Sequence, residues 1–145
     1  MSDSSGQYHV RVLWTGNKSG RVLVEGRTDI KTGIPPEGEG TIRNYSPEEL
    51  FVSAGAVCFM NSFIHFTEKM HIEFESFEVE STGYLEQVGR SYEITRIHSK
   101  TKLVIPSEEL RSRFERALEL GAKYCFVANS MRCPTTHESV INVKA

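Results

Sequence analysis

Residues 46–70 constrain the fold of this chain more than any other stretch. Ser46 is a good N-cap, Pro47 suits the first helical position, and Glu49 completes a Ser-x-x-Glu capping box. The body that follows, Leu50 to Met70, is apolar on most sides at first and carries the small trio Ala54-Gly55-Ala56. A helix hydrophobic nearly all round belongs at the centre of a structure, and small residues on it let another backbone approach closely. Ser53, Asn61, Ser62 and His65 interrupt the run, and Glu48, Glu49, Glu68 and Lys69 flank it. We therefore expect a buried core helix and no membrane partner.

Strand patterns surround this helix. Tyr8, Val10, Val12 and Trp14 alternate with His9, Arg11 and Leu13, which predicts a first strand. Gly16 to Gly20 is a turn, Arg21 to Glu25 a returning arm, and Gly26 a second reversal into Thr28 to Lys31. Thr32 to Tyr45 carries Gly33, Pro35, Pro36, Gly38 and Gly40 and reads as a loop. After the helix, Ile72 and Phe74 share a face, then the parity slips at Ser76 so that Phe77 and Val79 match. In the next segment Tyr92 and Ile94 give way to Ile97, Leu103 and Ile105; such slips predict bulges in long strands. The turn between them falls near Gln87–Arg90. A second helix is expected from Ser107, with Glu108 and Glu109 suited to its dipole. Its stripe runs Leu110, Phe114, Ala117, Leu118, Gly121 and Cys125. A last strand, roughly Ser139 to Val143, completes an α+β order in which antiparallel or mixed sheets wrap helices.

The 145 residues suit a single domain, 1–145. A net charge of -2 offers no basic field, so no nucleic-acid partner is expected. The polar opening, Met1 to Gln7, has no secretory pattern, and we expect a cytoplasmic protein. There, thiols are held reduced, and a distant cysteine pair is more often catalytic or redox-sensing than structural. Cys58 and Cys125 form such a pair, one on each expected helix and both in line with the packed faces. Each cysteine alone would read as a small core hydrophobe. A disulfide between them needs Cα atoms within about 7 Å, which spacing along the chain does not decide.

The stretch Ser46-Pro47-Glu48-Glu49-Leu50-Phe51-Val52-Ser53-Ala54-Gly55-Ala56-Val57-Cys58-Phe59 resembles the first cysteine motif of the OsmC/Ohr family, the osmotically inducible and organic hydroperoxide resistance proteins. Ala122-Lys123-Tyr124-Cys125-Phe126-Val127-Ala128-Asn129-Ser130 is similar to its second, with Phe126 where the family carries proline. The resemblance implies an intertwined homodimer around two long central helices, with sites built from both chains. It implies a peroxidase in which Cys58 attacks an organic hydroperoxide, Cys125 resolves the sulfenic acid as a disulfide, and a dithiol reductant restores both. It implies no cofactor and no metal.

The resemblance also assigns supporting residues. Glu48 matches the glutamate that holds an arginine beside the thiolate. It lies roughly 15 Å from Cys58 along a straight helix, so a bridging cation is needed; otherwise it is an ordinary first-turn acid. In one branch that arginine sits in the first hairpin turn, where this chain has Lys18, which lacks a guanidinium's planar fork. In other branches the preceding loop supplies it, and here that loop carries Arg43, with Arg21 and Arg27 nearby. Cys133 could serve as another resolving thiol. Its Cys-x7-Cys-x3-His pattern with Cys125 and His137 has neither the spacing nor the fourth ligand of a usual metal site. His65 lies about 10 Å along the helix from Cys58, too far to activate it. The competing reading is a non-catalytic dimer of the same fold that binds an apolar ligand or senses redox state.

Overall fold

The computed structural model describes residues 6–34 and 44–145. The chain divides into two compact units, Met1–Phe51 and Val52–Ala145, each taken by itself below.

In the first unit, β1 (Arg11–Gly16), β2 (Ser19–Leu23) and β3 (Ile30–Thr32) form an antiparallel sheet in that order. The first strand begins later than the alternation suggests, and the expected turn contracts. Gly16 pairs with Ser19, leaving Asn17 and Lys18 as the two loop residues. Asn17 takes φ 46, a left-handed conformation that asparagine tolerates, and its carbonyl accepts the Trp14 indole N–H at 2.7 Å. The alternation does not sort β1 into a buried and an exposed face: Val12, Leu13 and Trp14 are all exposed. Tyr45 returns beside β3, exchanging backbone hydrogen bonds with Lys31 and Gly33.

The long helix, α1 (Pro47–Met70), starts as expected. The Glu49 amide donates to Ser46 Oγ at 3.1 Å and the Ser46 amide to Glu49 Oε1 at 2.9 Å, so the capping box closes reciprocally. Although α1 is long and apolar enough to span a membrane, one stripe of it, Phe59, Ser62, Phe63 and Thr67, is buried within the protein. The all-round burial expected of it is not found, since Phe51 and Val57 remain exposed.

The second unit is built on β4 (Ser76–Val88) and β5 (Ser91–Ile105), a long antiparallel hairpin, with β6 (Thr135–Val143) parallel on the far side of β5. Gly89 takes φ 61 in the hairpin turn, a region that glycine enters without penalty. The parity slip between Ile94 and Ile97 is a true bulge. Tyr84 pairs with Arg96 and Leu85 with Ile94, leaving Thr95 as the extra residue. The slip at Ser76 is not a bulge, because Ile72 and Phe74 precede β4 and enter the core from a connecting segment. β6 starts at Thr135 rather than near Ser139. The polar run Thr-Thr-His-Glu has no apolar alternation, and its strand form rests on the ladder to Ile97–Lys100.

A parallel neighbour requires a crossover, and the helices supply it. A 3-10 turn (Glu108–Leu110) leads into α2 (Arg111–Lys123), and the short α3 (Phe126–Asn129) follows. Phe114, Ala117, Leu118 and Gly121 are the buried face of α2, as its spacing predicts. Gly121 has a steric reason: a Cβ there would stand 3.0 Å from the Phe63 Cα of α1. Phe63 packs against Phe74, Phe77 and Phe114, and with Leu103 and Ile105 these rings fill the core. The Arg113 guanidinium donates to the Met70 carbonyl at the end of α1.

Candidate functional site

Cys125 is not on the second helix. The Tyr124 amide makes the last α2 bond, to Leu120, and Cys125 then turns extended (φ -74, ψ 108) before α3 begins. The Asn129 side-chain amide donates to the Lys123 carbonyl at 3.1 Å, satisfying a terminal group of α2 and stabilising the break. Neither proline nor glycine marks this break, so helical spacing alone carries the stripe past the end of the helix.

The break delivers Cys125 to Cys58. Cys58 is half-buried in the middle of α1 and Cys125 is buried; both are free thiols within hydrogen-bond reach of each other. The Val127 amide donates to Cys58 Sγ at 3.5 Å, and the Cys125 thiol points to the Gly55 carbonyl at 3.8 Å. Burial pushes the Cys125 thiol up to about 11. The backbone amide of Ala128 opposes that rise, and the hydrogen bond with Cys58 adds to it. The two sulfurs thus differ: one is partly open and holds an amide donor, the other is enclosed and kept protonated. Gly55 and Ala56 from the small trio lie on the same side, lining a cavity next to Cys125.

That cavity has a volume of about 10 Å³, room for about one water. Phe59, Ser99, Cys125, Thr135 and His137 are among its walls. The Ser81 and Ser99 hydroxyls hydrogen-bond to each other at 2.7 Å, so these two polar groups in the sheet are mutually satisfied. His137 lies on β6 with its ring 4.5 Å from that of Phe59. Burial, and then the neighbouring His98, hold its imidazole below the ordinary histidine value. His98 is tied to Thr136 and Glu138 at 2.7 Å each, with Lys100 3.9 Å from the same carboxylate. Spacing could not have placed His137 beside Cys125, because the parallel register of β6 on β5 brings it there.

The other expected site residues stand elsewhere. Lys18 is exposed in the β1–β2 turn and Glu48 is exposed in the first turn of α1, both in the first unit. Arg43 lies outside the described residues. Cys133 is buried just before β6. Among the described residues, no three His, Cys, Asp or Glu side chains gather as a metal site.

Two three-stranded sheets with the helices α1 and α2, a cysteine on α1 and another just after α2, define an OsmC-like class of protein. The family model described as OsmC-like protein matches residues 38–140, and the chain belongs to that family. Its fold is similar to that of an OsmC-like protein of unknown function from Vibrio cholerae, at 20% identity and a TM-score of 0.81 over 94% of this chain and 100% of that one. It is also similar to an organic hydroperoxide resistance protein from Legionella pneumophila (18% identity, TM-score 0.69, 95% and 99% covered). A third match is one from Bacillus subtilis (17%, 0.63, 94% and 98%). No curated protein matches the chain.

Proposed function

We propose that this protein is a thiol-dependent peroxidase that reduces organic hydroperoxides. The observation that carries the reading is the contact between a half-buried thiol and a buried one, contributed by separate elements. Cys58, the more accessible, attacks the peroxide as a thiolate. Its sulfur bonds the distal oxygen, the O–O bond breaks, and the alkoxide leaves and takes a proton to become the alcohol. Cys58 is then a sulfenic acid. Cys125 displaces its hydroxyl, which leaves as water, and a disulfide closes. A dithiol reductant, small or lipoyl-type, accepts that disulfide and returns both thiols. Thiolate formation at Cys58 calls for a cation, and Lys18, Arg21, Arg27 and Arg43 are the candidates, with Glu48 to hold it. The names of the Legionella and Bacillus proteins support the substrate class.

The working unit in this reading is a cytoplasmic homodimer. Exposed apolar side chains on β1 and on α1, Val12, Trp14 and Val57 among them, support a second copy as their cover.

Single-turnover measurements test the chemistry. Cys58→Ser should abolish peroxide consumption, including the first equivalent. Cys125→Ser should consume one equivalent and leave a trappable sulfenic acid at position 58 that over-oxidises with excess peroxide. Consumption by Cys58→Ser but not by Cys125→Ser would reverse the roles, and no effect of either change would remove the peroxidase function.

A further inference from the structure

We infer that His137 accepts the proton of Cys125, through one water in the cavity both side chains line, when Cys125 attacks the oxidised sulfur of Cys58. The inference rests on the peroxidase reading and adds a residue to its second step.

The geometry comes from three elements of the second unit. Cys125 reaches the cavity from the α2–α3 break, His137 from β6, and Phe59 from α1, beside Cys58 in sequence. The Phe59 ring lies 4.5 Å from the imidazole. A volume of about 10 Å³ admits a single water, and a water needs several polar partners. Ser99 and Thr135 line the space alongside His137 and Cys125, so polar residues are present around it. No carboxylate, lysine or arginine is among the described residues that line this space, so the imidazole is the base at hand.

The chemistry requires one. A thiol that ionises near 11 is a thiolate in roughly one molecule per ten thousand at pH 7, and only the thiolate attacks. An imidazole held below its ordinary value is neutral there and free to accept a proton. The step balances without another reagent. The Cys125 S–H proton passes to the water, and a water proton passes to His137. The sulfur electron pair forms the S–S bond as the Cys58 S–O bond breaks. The departing hydroxide takes the imidazolium proton, through the same kind of relay, and leaves as water. The charged and titratable groups around His137 are His98 on β5, Glu138 and Lys100 bound through it, and Cys125; α1 presents the uncharged Phe59.

Rapid mixing with an organic hydroperoxide separates the two steps, because peroxide loss reports the first and loss of trappable sulfenic acid the second. His137→Asn and His137→Phe should each slow the second step at least tenfold relative to the first at pH 7. In both variants the second step should climb about tenfold per pH unit up to pH 9, following the thiolate. In the unaltered protein it should stay level from pH 7 to 9. Peroxide consumption with an unchanged ratio of rates in both variants overturns the inference alone. A tenfold climb per unit in the unaltered protein does the same, even if neither variant folds. Absence of peroxide consumption by the unaltered protein overturns the peroxidase reading and this inference with it.

Discussion

The two three-stranded sheets differ in what becomes of their apolar side chains. In β5, Ile97, Leu103 and Ile105 are buried almost completely, on the face where Phe63 of α1 and Phe114 of α2 join the core. In β1, Trp14 is 74% exposed and Val12 71%. Both regions alternate in sequence, yet only one has its apolar face covered. Alternation reports the geometry of a strand; burial requires a second layer. The apolar side chains of β1 have no such layer among the described residues, and the homodimer proposed above would supply one.

Substitutions can break this contrast or sharpen it. Phe114→Ala should cost about 3–5 kcal/mol, because it opens a void among rings with no solvent access. Trp14→Ala should cost under about 1 kcal/mol in an uncovered sheet and several-fold more if another copy covers the indole. Urea titration of both variants at two protein concentrations separates these cases. A Trp14→Ala effect that is small, with a midpoint independent of concentration, would remove the covering copy.

A smaller effect probes the buried thiol at the margin of the packed core. Cys125 is raised in the folded protein from an ordinary 9.0 to about 11. Between those values the unfolded chain has lost the proton that the folded chain keeps. The contribution is full below pH 9 and is lost as pH rises toward 11, on the order of 2 kcal/mol. Reduced protein unfolded at pH 8.5 and 10.5 should lose that much, and Cys125→Ser should lose correspondingly less. Equal losses in the two proteins would mean that the thiol is not enclosed as described.

The smallest expected effect is local. Ser46→Ala removes the hydroxyl that accepts the Glu49 amide and should cost about 1 kcal/mol, measured by thermal unfolding. A negligible change would show that helix α1 owes its start to packing and not to its cap.

These expectations divide by how far each feature reaches along the chain. The start of α1, the buried stripe of α2 and the bulge at Thr95 were legible because each depends on neighbours a few residues away. The OsmC-like motif around Cys58 was legible for the same reason. The start of β6 was not, since Thr135–Glu138 take strand form from a partner some 38 positions earlier. Nor was the exposure of α1, because a helix apolar on most sides says nothing of how many sides meet a neighbour.

The sequence by itself determined the order of elements and the family, and it singled out Cys58 and Cys125 as a pair. It did so through periodicity, capping and motif, all of which are written in adjacent residues. Only the tertiary structure decided that Cys125 leaves α2 at a break tied by Asn129, comes within reach of Cys58, and shares a small cavity with His137. The last two join segments far apart in the chain, as do the parallel register of β6 and the close approach of α2 to Phe63, and distances across a core are set by packing rather than by spacing along the chain.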